Sequence, residues 1–465
     1  MAKYDLRSEF IATNAEGIQK IPQEWQIKQV RYLLKDGAEG IKIGPFGSAI
    51  KLEDMVEDGF SVYGQENVIK KDFTLGKRKI SETKFQEMSV YRIFPKDILI
   101  TMMGTSGKCE IVPKDVKDGI IDSHLLRVRV KENHIIPEFF KLLIDESPEI
   151  AYQIQVFGKG SIMHGLNSGI VKSLNLPLPS IAEQKHILSF LDHETAKIDH
   201  LIEKQQQLIE LLKEKRQAVI SHAVTKGLDP NAPMKDSGVA WLGEVPEHWD
   251  TAPLKYLCEL LKDGTHLPPA RVDSGIPLLS VRNIINNKFT FRDDDSQISE
   301  SSYTDLCKSF IPQNGDVLLA IVGATLGKVA VIEQMENFHI QRSLGIFRTK
   351  KTKLNNYFLA YLFSSKGFQS LLWENVGFSA QPGIYLGALS NFLIPVPSIE
   401  EQKNIIEFIK IKLDKFDNLI NKALHSVQLM QERRTALISA AVTGKIDVRN
   451  WQAPTVAEAH TELSA

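Results

Sequence analysis

A segment of 53 residues occurs twice in this sequence at a fixed offset of 218, and this repeat constrains the fold more than any other feature. Residues 177–229 and 395–447 are identical at 24 of the 53 positions, where chance would give only a few. The period is too long for a solenoid of small stacked units. It indicates two copies of one module, in a chain long enough to form two separate cores.

Weaker similarity extends the repeat upstream of these segments. IPQEW at 21–25 corresponds to VPEHW at 245–249, and VYGQENVI at 62–69 corresponds to LLSVRNII at 278–285. A third pair, DILITMMGTSGK and DVLLAIVGATLGK, aligns with one residue inserted. The predicted order is therefore domain, helix, domain, helix.

Each repeated segment begins with the signals of a helix start. Ser180 with Glu183, and Ser398 with Glu401, form S-x-x-E capping boxes just after prolines. The EQK triplet in each copy also resembles part of a nuclease E-x-K motif. We prefer the capping interpretation because both residues stand where a helix must begin.

Each helix is predicted to be long and to carry one narrow apolar stripe. Without Pro or Gly before Gly227 and Gly444, about 40 residues at about 1.5 Å each give a rod of about 60 Å. The stripe has coiled-coil spacing and consists of Ile187, Leu191, Ile198, Leu201, Leu208, Leu212 and Val219 in the first copy and Ile405, Ile409, Phe416, Leu419, Met430 and Leu437 in the second.

A helix with one apolar stripe is not stable alone, so each helix needs a partner. We expect the two copies to pair as antiparallel helices and to form a coiled-coil spacer between the domains. The alternative is that each helix folds back on its own domain. Both segments end in AVT, at 223–225 and 441–443, which is either a docking site for another subunit or a plain C-terminal cap.

The regions before each helix alternate short β-rich runs with turns and predict an α+β (mixed α/β) fold in each copy. The clearest predicted strands are DILITMM at 97–103, LLRVRV at 125–130, GDVLLAIVG at 315–323 and LGIFRT at 344–349. Short helices are predicted at 137–147 and 355–372.

Composition narrows the class of protein. The chain has 43% hydrophobic residues, and it contains neither a long uninterrupted apolar run nor an apolar N-terminal signal core, so we expect a cytoplasmic protein. Cys109, Cys258 and Cys307 lie far apart without a CxxC pair, which disfavours a disulfide framework and a structural zinc site.

The formal net charge of −1 provides no global attraction for nucleic acid, so any DNA contact must depend on local placement. The loops IGPFGSAIK (43–51) and KDGTHLPPAR (262–271) combine glycine with short polar and basic side chains, which suits close approach to phosphates or base edges. The candidate DNA-binding residues are Lys42, Ser48, Lys51, Gln65, Asn67, Lys70, Lys108, His124 and Lys159 in the first copy and Thr265, His266, Arg271, Arg282, Asn283, Asn287, Lys328, Gln341 and Arg342 in the second.

Motifs for catalysis are missing. GTSGK (104–108) and GATLGK (323–328) lack the spacing of a phosphate loop, and Cys109 and Val329 follow their lysines instead of Ser or Thr. We find no G-x-S-x-G, H-E-x-x-H or methyl-donor glycine loop. The basic run at 77–79 is interpreted as a solvated turn.

Taken together, these motifs resemble the specificity subunit of type I restriction–modification enzymes over nearly all of residues 10–450. The resemblance is carried by GPFGSA (44–49), PSIAEQK (179–185), KDSGVAWLGEVPEHW (235–249), KDGTH (262–266), GDVLLA (315–320), GK (327–328), PSIEEQK (397–403) and the AVT-Gly endings. It implies a non-catalytic chain whose two target-recognition domains each read one half of a bipartite, asymmetric DNA site. It also implies two methyltransferase subunits that bind S-adenosylmethionine, and a restriction and translocation subunit that uses ATP and Mg.

On this basis we expect target-recognition domains at 1–180 and 235–398. The first spacer helix and its linker would occupy 181–234, the second helix 399–450, and a tail 451–465. We expect neither a cofactor nor a metal on this chain itself. The competing hypothesis is a coiled-coil adaptor that holds partners without reading DNA.

Overall fold

The computed structural model of this chain divides into two compact units. Unit 1 comprises Met1–Gln205 and Ser426–Ala465, and unit 2 comprises Gln206–His425. The structure describes residues 4–46, 49–158, 166–267, 269–333, 335–377 and 382–452. Each repeated helix crosses the division, so each unit contains a part of both long helices.

In unit 1, short strands and helices precede the first long helix. The strands are β1 Phe10–Ala15, β2 Ile18–Pro22, β3 Gln26–Gln29, β4 Ile41–Ile43, β5 Met55–Tyr63, β6 Lys79–Ile80, β7 Ile98–Thr101, β8 Cys109–Ile111, β9 Gly119–Ile121, β10 Leu125–Val128 and β11 Asn175–Leu178. The helices are α1 Val30–Leu33, α2 Gln65–Ile69, α3 Glu82–Glu87, α4 Pro137–Glu146, α5 Pro148–Gly158, α6 Ser168–Ser173 and α7 Ile181–Lys226.

Unit 2 repeats this order with additional strands. Its strands are β12 Met234–Asp236, β13 Glu244–Pro246, β14 Asp250–Pro253, β15 Cys258–Asp263, β16 Arg271–Val272, β17 Ile276–Leu279, β18 Ile284–Ile285, β19 Lys288–Phe289, β20 Gln297–Ile298, β21 Val317–Ala320, β22 Val329–Val331, β23 His339–Ile340, β24 Leu344–Thr349 and β25 Leu393–Val396. Its helices are α8 Leu254–Leu257, α9 Glu300–Cys307, α10 Asn356–Ser364, α11 Lys366–Glu374, α12 Leu386–Ser390 and α13 Ile399–Val442.

A sheet lies at the centre of each unit, in the order β4-β10-β7-β8 in unit 1, where all pairs are antiparallel, and β15-β24-β21-β22-β19-β18 in unit 2, where only β19 and β22 are parallel. The strands β7, β10 and β21 are buried at every position, and their sequences are apolar except for Thr101 in β7 and Arg127 in β10. In unit 1, Ile98 and Ile100 pack with the helices, whereas Leu99 packs towards Tyr63 of a second, smaller sheet. Each central sheet is therefore covered on both faces.

The predicted strands are confirmed as β7, β10, β21 and β24, and the helix predicted at 137–147 is α4. The helix predicted at 355–372 is wrong as a single element, because α10 ends at Ser364 and α11 begins at Lys366. The side chain of Ser365 accepts a hydrogen bond from the backbone N–H of Phe368 and so starts a new helix.

The long helices begin where the sequence predicts, but their glutamates do not complete a capping box. The Oγ atoms of Ser180 and Ser398 accept the backbone N–H of the third helical residue, at 3.3 and 3.2 Å. The carboxylate of Glu183 accepts the indole N–H of Trp25 instead, at 3.0 Å. Glu401 accepts the indole N–H of Trp249 at the same distance. Within each unit, the tryptophan of the first repeated motif (IPQEW or VPEHW) therefore contacts the glutamate of the second (EQK).

The glutamine that follows each glutamate is fully buried and braces a neighbouring loop. Gln184 donates to the backbone oxygens of His134 and Pro179 and accepts from the backbone N–H of Ile136. Gln402 makes the same three kinds of bond in unit 2, to residues 353, 355 and 397. These bonds favour a structural role for the glutamate and glutamine of the EQK triplet over the nuclease interpretation.

Contacts within each unit show that the two long helices run antiparallel. In unit 1, Arg7 contacts both Glu183, near the start of α7, and Asp447, just beyond the end of α13. Farther along, Asp199 pairs with Arg434 at 2.9 Å. In unit 2, Arg216 of α7 pairs with Asp417 of α13 at 3.2 Å. There Gly227, just after α7, lies beside Glu401 at the start of α13. The predicted antiparallel pairing is confirmed.

The predicted heptad stripe is only partly correct. Leu201, Leu208 and Leu419 are 52%, 43% and 49% exposed. Val219, Phe416 and Met430 are half-buried, and the other predicted stripe residues, Ile187, Leu191, Ile198, Leu212, Ile405, Ile409 and Leu437, are buried.

The buried stripe of α7 follows an 11-residue spacing, which explains this error. Ile187, Ile198, Ile209 and Ile220 are all buried. Eleven residues in three turns correspond to about 3.67 residues per turn, close to the natural period of a straight helix. A heptad pattern has about 3.5 residues per turn, so its positions move off the buried stripe along the helix. It therefore predicts burial for Leu201 and Leu208, which face solvent.

The AVT segments at the helix ends are buried and are followed by glycine caps, so they do not form an exposed surface. Ala223, Val224, Ala441 and Val442 are almost fully buried. The next glycines, at 227 and 444, have φ values of +75° and +72°, the left-handed conformation that ends a helix. The cap interpretation therefore holds within the described residues.

Replacing the buried glutamines should show how strongly each unit depends on this bracing. Gln184→Ala leaves one backbone N–H and two carbonyls without their partner, so the free energy of unfolding should fall by about 2–5 kcal/mol. Chemical denaturation with Lys185→Ala as the exposed control, expected within about 0.5 kcal/mol of wild type, measures the effect. Equal unfolding free energies for the two variants would contradict the bracing role.

Candidate nucleic-acid interface

Three loops meet at one edge of the sheets in unit 1, and we call residues 44–46, 64–65 and 122–124 the unit 1 rim. The strands β5 and β9 are parallel, so their carboxyl ends lie side by side. The backbone N–H of Asp122 donates to the carbonyl of Tyr63 at 2.8 Å, and that of Gly44 donates to Leu125 at 2.9 Å. These bonds bring together residues that are far apart in sequence.

The same construction occurs in unit 2, where residues 264–267, 280–282 and 341–343 form the unit 2 rim. The strands β17 and β23 are parallel, and the backbone N–H of Gln341 donates to Leu279 at 2.9 Å. The backbone N–H of Arg342 donates to the carbonyl of Thr265 at 3.1 Å. Thr265, His266, Gln341 and Arg342, predicted separately as DNA-binding residues, therefore lie together.

One glycine in each rim permits a close approach between loops. A Cβ atom on Gly44 would lie 1.7 Å from the carbonyl oxygen of Asp122. A Cβ atom on Gly264 would lie 2.2 Å from the carbonyl oxygen of Gln341. Both distances are far below van der Waals contact, so only glycine fits. The two glycines occupy equivalent places, after β4 and β15.

Asn67 and Asn283, predicted as base readers, do not face solvent. Their exposures are 1% and 0%. The Oδ1 atom of each accepts the backbone N–H that begins the loop, from Gly64 and Ser280, at 2.9 Å in both cases. Their amide nitrogens donate to nearby loop acceptors, among them the carbonyls of residues 75 and 290. Because these groups are buried and hydrogen-bonded, we correct both assignments to loop bracing.

Several predicted cationic residues are already engaged by neighbours within their unit. Lys108 pairs with Asp145 at 2.6 Å, His266 with Asp263 at 2.7 Å and Lys51 with Glu53 at 3.1 Å. Arg282 pairs with Asp294 and Asp295, each at 3.1 Å, and the ammonium of Lys42 lies 5.1 Å from the ring centroid of Tyr91. The positive charges of Lys51, Lys108 and Arg282 are thus partly neutralised by the protein itself.

The remaining candidates differ in exposure and place. His124 is an exposed rim residue, and Gln65 is a half-buried one. Lys70, Arg271 and Lys328 are exposed. Asn287 occupies a left-handed turn with φ +60° and lines a cleft of about 330 Å³ beside Tyr361 and Asp417, which contains none of the rim residues. Ser48 and Lys159 lie outside the described residues.

The electrostatics of the rims depend on burial and on local hydrogen bonds. Burial lowers the pKa of His339, which precedes the unit 2 rim and packs against Phe310, so this side chain favours the neutral form. Hydrogen bonds from Thr74 lower the pKa of Asp72, whose carbonyl accepts from Asn67. Among the described residues, no group of three His, Cys, Asp or Glu side chains could hold a metal ion.

Comparison with known proteins identifies the class of the chain. Residues 46–211 and 246–428 match the family described as Type I restriction modification DNA specificity domain. The chain belongs to this family. It is 27% identical over 338 residues to the Type I restriction enzyme MjaVIII specificity subunit of Methanocaldococcus jannaschii, covering 72% of this chain and 76% of that protein. The EcoBI specificity subunit of Escherichia coli is 24% identical over 373 residues, covering 78% and 76%.

Solved structures agree on the fold of this specificity-domain family. A chain solved in a study of complex assembly and conformational transition of the type I R-M system has a TM-score of 0.66 at 17% identity, covering 92% of this chain and 99% of that one. The HsdS subunit from Thermoanaerobacter tengcongensis has a TM-score of 0.50 at 16% identity, covering 92% and 98%. In the described part of the present chain, no helix is long and apolar enough to cross a membrane.

Sequence reasoning missed two groups of residues in this specificity-domain chain. Asp97 pairs with Arg129, and Asp316 pairs with Arg348, through two hydrogen bonds each. A signal was present, because the arginine follows the aspartate by 32 residues in both copies. The pair formed by Arg78 and Asp122 was also missed. Arg78 belongs to a basic run that is typical of solvated turns.

Filling the glycine position of the unit 2 rim should disturb the rim directly. Gly264→Ala forces the backbone near Gln341 to move, so the free energy of unfolding should fall by roughly 1–3 kcal/mol. Gly387→Ala is the matched control, because its Cβ would meet nothing within 4 Å. Denaturant unfolding of both variants measures the difference. A Gly264→Ala protein as stable as the control would show that the close approach is not required.

Proposed function

We propose that this chain is the DNA sequence-specificity subunit of a type I restriction–modification complex and recognises a bipartite, asymmetric double-stranded target. One domain, within residues 1–180, would read one half-site, and the other, within 235–398, would read the second. The observation that carries the proposal is the pair of equivalent rims, each built around a glycine that no other residue can replace. Family membership supports the assignment to DNA recognition.

The rims have the same backbone construction but different side chains, which supports an asymmetric target. Asp122 of the unit 1 rim corresponds to Gln341 of the unit 2 rim, because each follows the parallel strand and donates the same backbone hydrogen bond. A carboxylate and a carboxamide differ in charge and in hydrogen-bond donors. Asp122 is buried and would act through Arg78, to which its carboxylate is hydrogen-bonded, so the two rims would present different groups to the DNA.

We further propose that the chain is non-catalytic and acts with partners. Two methyltransferase subunits carrying S-adenosylmethionine would dock on it, and a restriction and translocation subunit using ATP and Mg would join through the complex. A net charge of −1 and the many internally paired cations predict weak DNA binding by the isolated chain. The partners would then supply much of the phosphate attraction.

Mapping adenine methylation tests this function most directly. The full chain, co-expressed with its partner methyltransferase, should direct methylation to one two-part motif across the host genome. Methylation without a split motif would contradict the specificity function and favour the adaptor hypothesis. The methyltransferase expressed without this chain is the control and should not methylate that motif.

Exchanging one domain should change one half of the motif. Replacing residues 1–180 with the same region of a relative should alter one half-site and leave the other unchanged, because each rim is assembled within its own unit. Methylome sequencing of the chimaera measures both halves at once. A change in both halves would contradict the assignment of one reader to each unit.

Lengthening both long helices should lengthen the gap between half-sites. The ion pairs Asp199–Arg434 and Arg216–Asp417 lie 17 residues apart along each helix, so the two helical segments match in length. Four residues inserted after Gln205 and four after His425 add about 6 Å to each, and the gap should grow by roughly one to two base pairs. The measurement is the gap in the methylated motif.

An insertion in α7 alone is the matched control for this experiment. It would lengthen only one of two paired helices and should reduce stability or methylation rather than give a new, defined gap. An unchanged gap after the matched insertion would remove the proposal that these helices set the spacing.

A further inference from the structure

Arg78 is hydrogen-bonded to a residue of the unit 1 rim, and most of its N–H donors are unused among the described residues. The Nη2 atom of Arg78 donates to the Oδ2 atom of Asp122 at 2.9 Å. Among the described residues this is the one hydrogen bond of its guanidinium, which has five N–H donors. The side chain is 43% exposed, so the unused donors can reach a ligand.

Asp122 is placed to orient Arg78 rather than to meet a ligand itself. Its side chain is only 9% exposed. While Oδ2 accepts from Arg78, Oδ1 accepts the backbone N–H of His124 at 2.9 Å. The backbone of Asp122 is fixed in turn by its bond to Tyr63. The carboxylate is therefore a rigid support behind the guanidinium.

Gly64 provides the space in which the guanidinium lies. A Cβ atom on Gly64 would be 2.4 Å from the Nη2 atom of Arg78 and 2.9 Å from Oδ2 of Asp122. The backbone of Gly64 is extended, with φ −123°, so an alanine there would meet no backbone strain. A methyl group at this position would instead displace the arginine from its support.

We propose that Arg78 is a specificity-determining residue that reads a guanine in the half-site recognised by unit 1, with Asp122 as its positioning residue. The proposal rests on the proposed function above. Arginine donates two parallel hydrogen bonds to O6 and N7 of guanine in the major groove. A guanidinium whose orientation is fixed by a carboxylate loses little freedom on forming that pair.

The neighbouring carboxylate also argues for a base contact rather than a phosphate contact. Asp122 neutralises much of the charge of Arg78, which weakens attraction to a phosphate but leaves the geometry of the planar fork intact. Unit 2 provides the contrast. Its rim arginine, Arg282, donates to Asp294 through both Nη atoms and also to Asp295, so most of its fork is already occupied.

The test compares methylation motifs made by the methyltransferase complex with the full chain and its variants. Arg78→Lys keeps the charge but cannot form the planar pair, and Asp122→Asn keeps the shape but removes the supporting charge. Gly64→Ala displaces the guanidinium. All three should relax one G·C position of one half-site, lowering its discrimination by roughly 5- to 100-fold, and leave the other half-site unchanged.

Lys77→Ala is the matched control, because it removes one positive charge from an exposed neighbouring residue. It should weaken methylation uniformly, without altering base preference. The relaxed position must also lie in the half-site that changes when residues 1–180 are exchanged.

Three outcomes would overturn the assignment of Arg78. They are a unit 1 half-site without a G·C pair, an unchanged motif in the Arg78→Lys complex, and a uniform loss of methylation equal to that of Lys77→Ala. Each leaves the wild-type two-part motif intact, so the failure of this inference is distinguishable from the failure of the proposed function. The latter would appear as wild-type methylation without any split motif.

Discussion

In each unit, the indole N–H of a buried tryptophan donates to the carboxylate of the glutamate that starts a long helix. Trp25 and Trp249 are 3% and 0% exposed. The bond in unit 1 is buried, where an unmade bond would be costly, and the bond in unit 2 is part-buried. In unit 1 the same indole packs against Gly444, which ends the other helix, and in unit 2 Trp249 packs against Gly227. One side chain therefore contacts the start of one helix and the end of its antiparallel mate.

This junction explains why the helical segments are the best-matched part of the repeat. Its tryptophan and glutamine are buried, the glutamate accepts the indole N–H, and the adjacent glutamine bonds three backbone groups. Burial raises the pKa of Glu183 even with Arg7 beside it, so the carboxylate tolerates little further loss of its partners. The rims, in contrast, are assembled largely by backbone hydrogen bonds, which do not depend on side-chain identity. Their exposed side chains can change while those bonds remain.

Sequence patterns predicted the features that depend on local periodicity or on repetition. The duplication, the buried central strands and the serine-capped helix starts were predictable because each produces a regular signal. The heptad stripe was wrong at Leu201, Leu208 and Leu419 because the helix follows a period nearer to its natural one than to 3.5. These exposed positions lie in the middle of the helices, whereas Ile187 and Leu437, nearer the helix ends, are buried.

The candidate interface was less predictable because its residues are brought together by pairing between distant strands. Residue type alone could not distinguish Asn67, whose amide is buried, from Gln65, which is half-buried two positions away. It also could not identify Arg78 as a neighbour of the unit 1 rim. The partner Asp122 lies 44 residues later and becomes a neighbour only through the parallel pairing of β5 with β9.

The pairing of cations with carboxylates suggests how affinity and selectivity are divided in such a protein. Counterion release on phosphate binding gives affinity that does not depend on sequence, and a chain rich in free lysines would bind DNA everywhere. Here Lys108, Arg78 and Arg282 each have an acidic partner. Non-specific attraction is thereby reduced, whereas an oriented guanidinium can still distinguish one base edge from another. In the proposed function, selectivity would come from such oriented groups, and bulk affinity would come from the partner subunits.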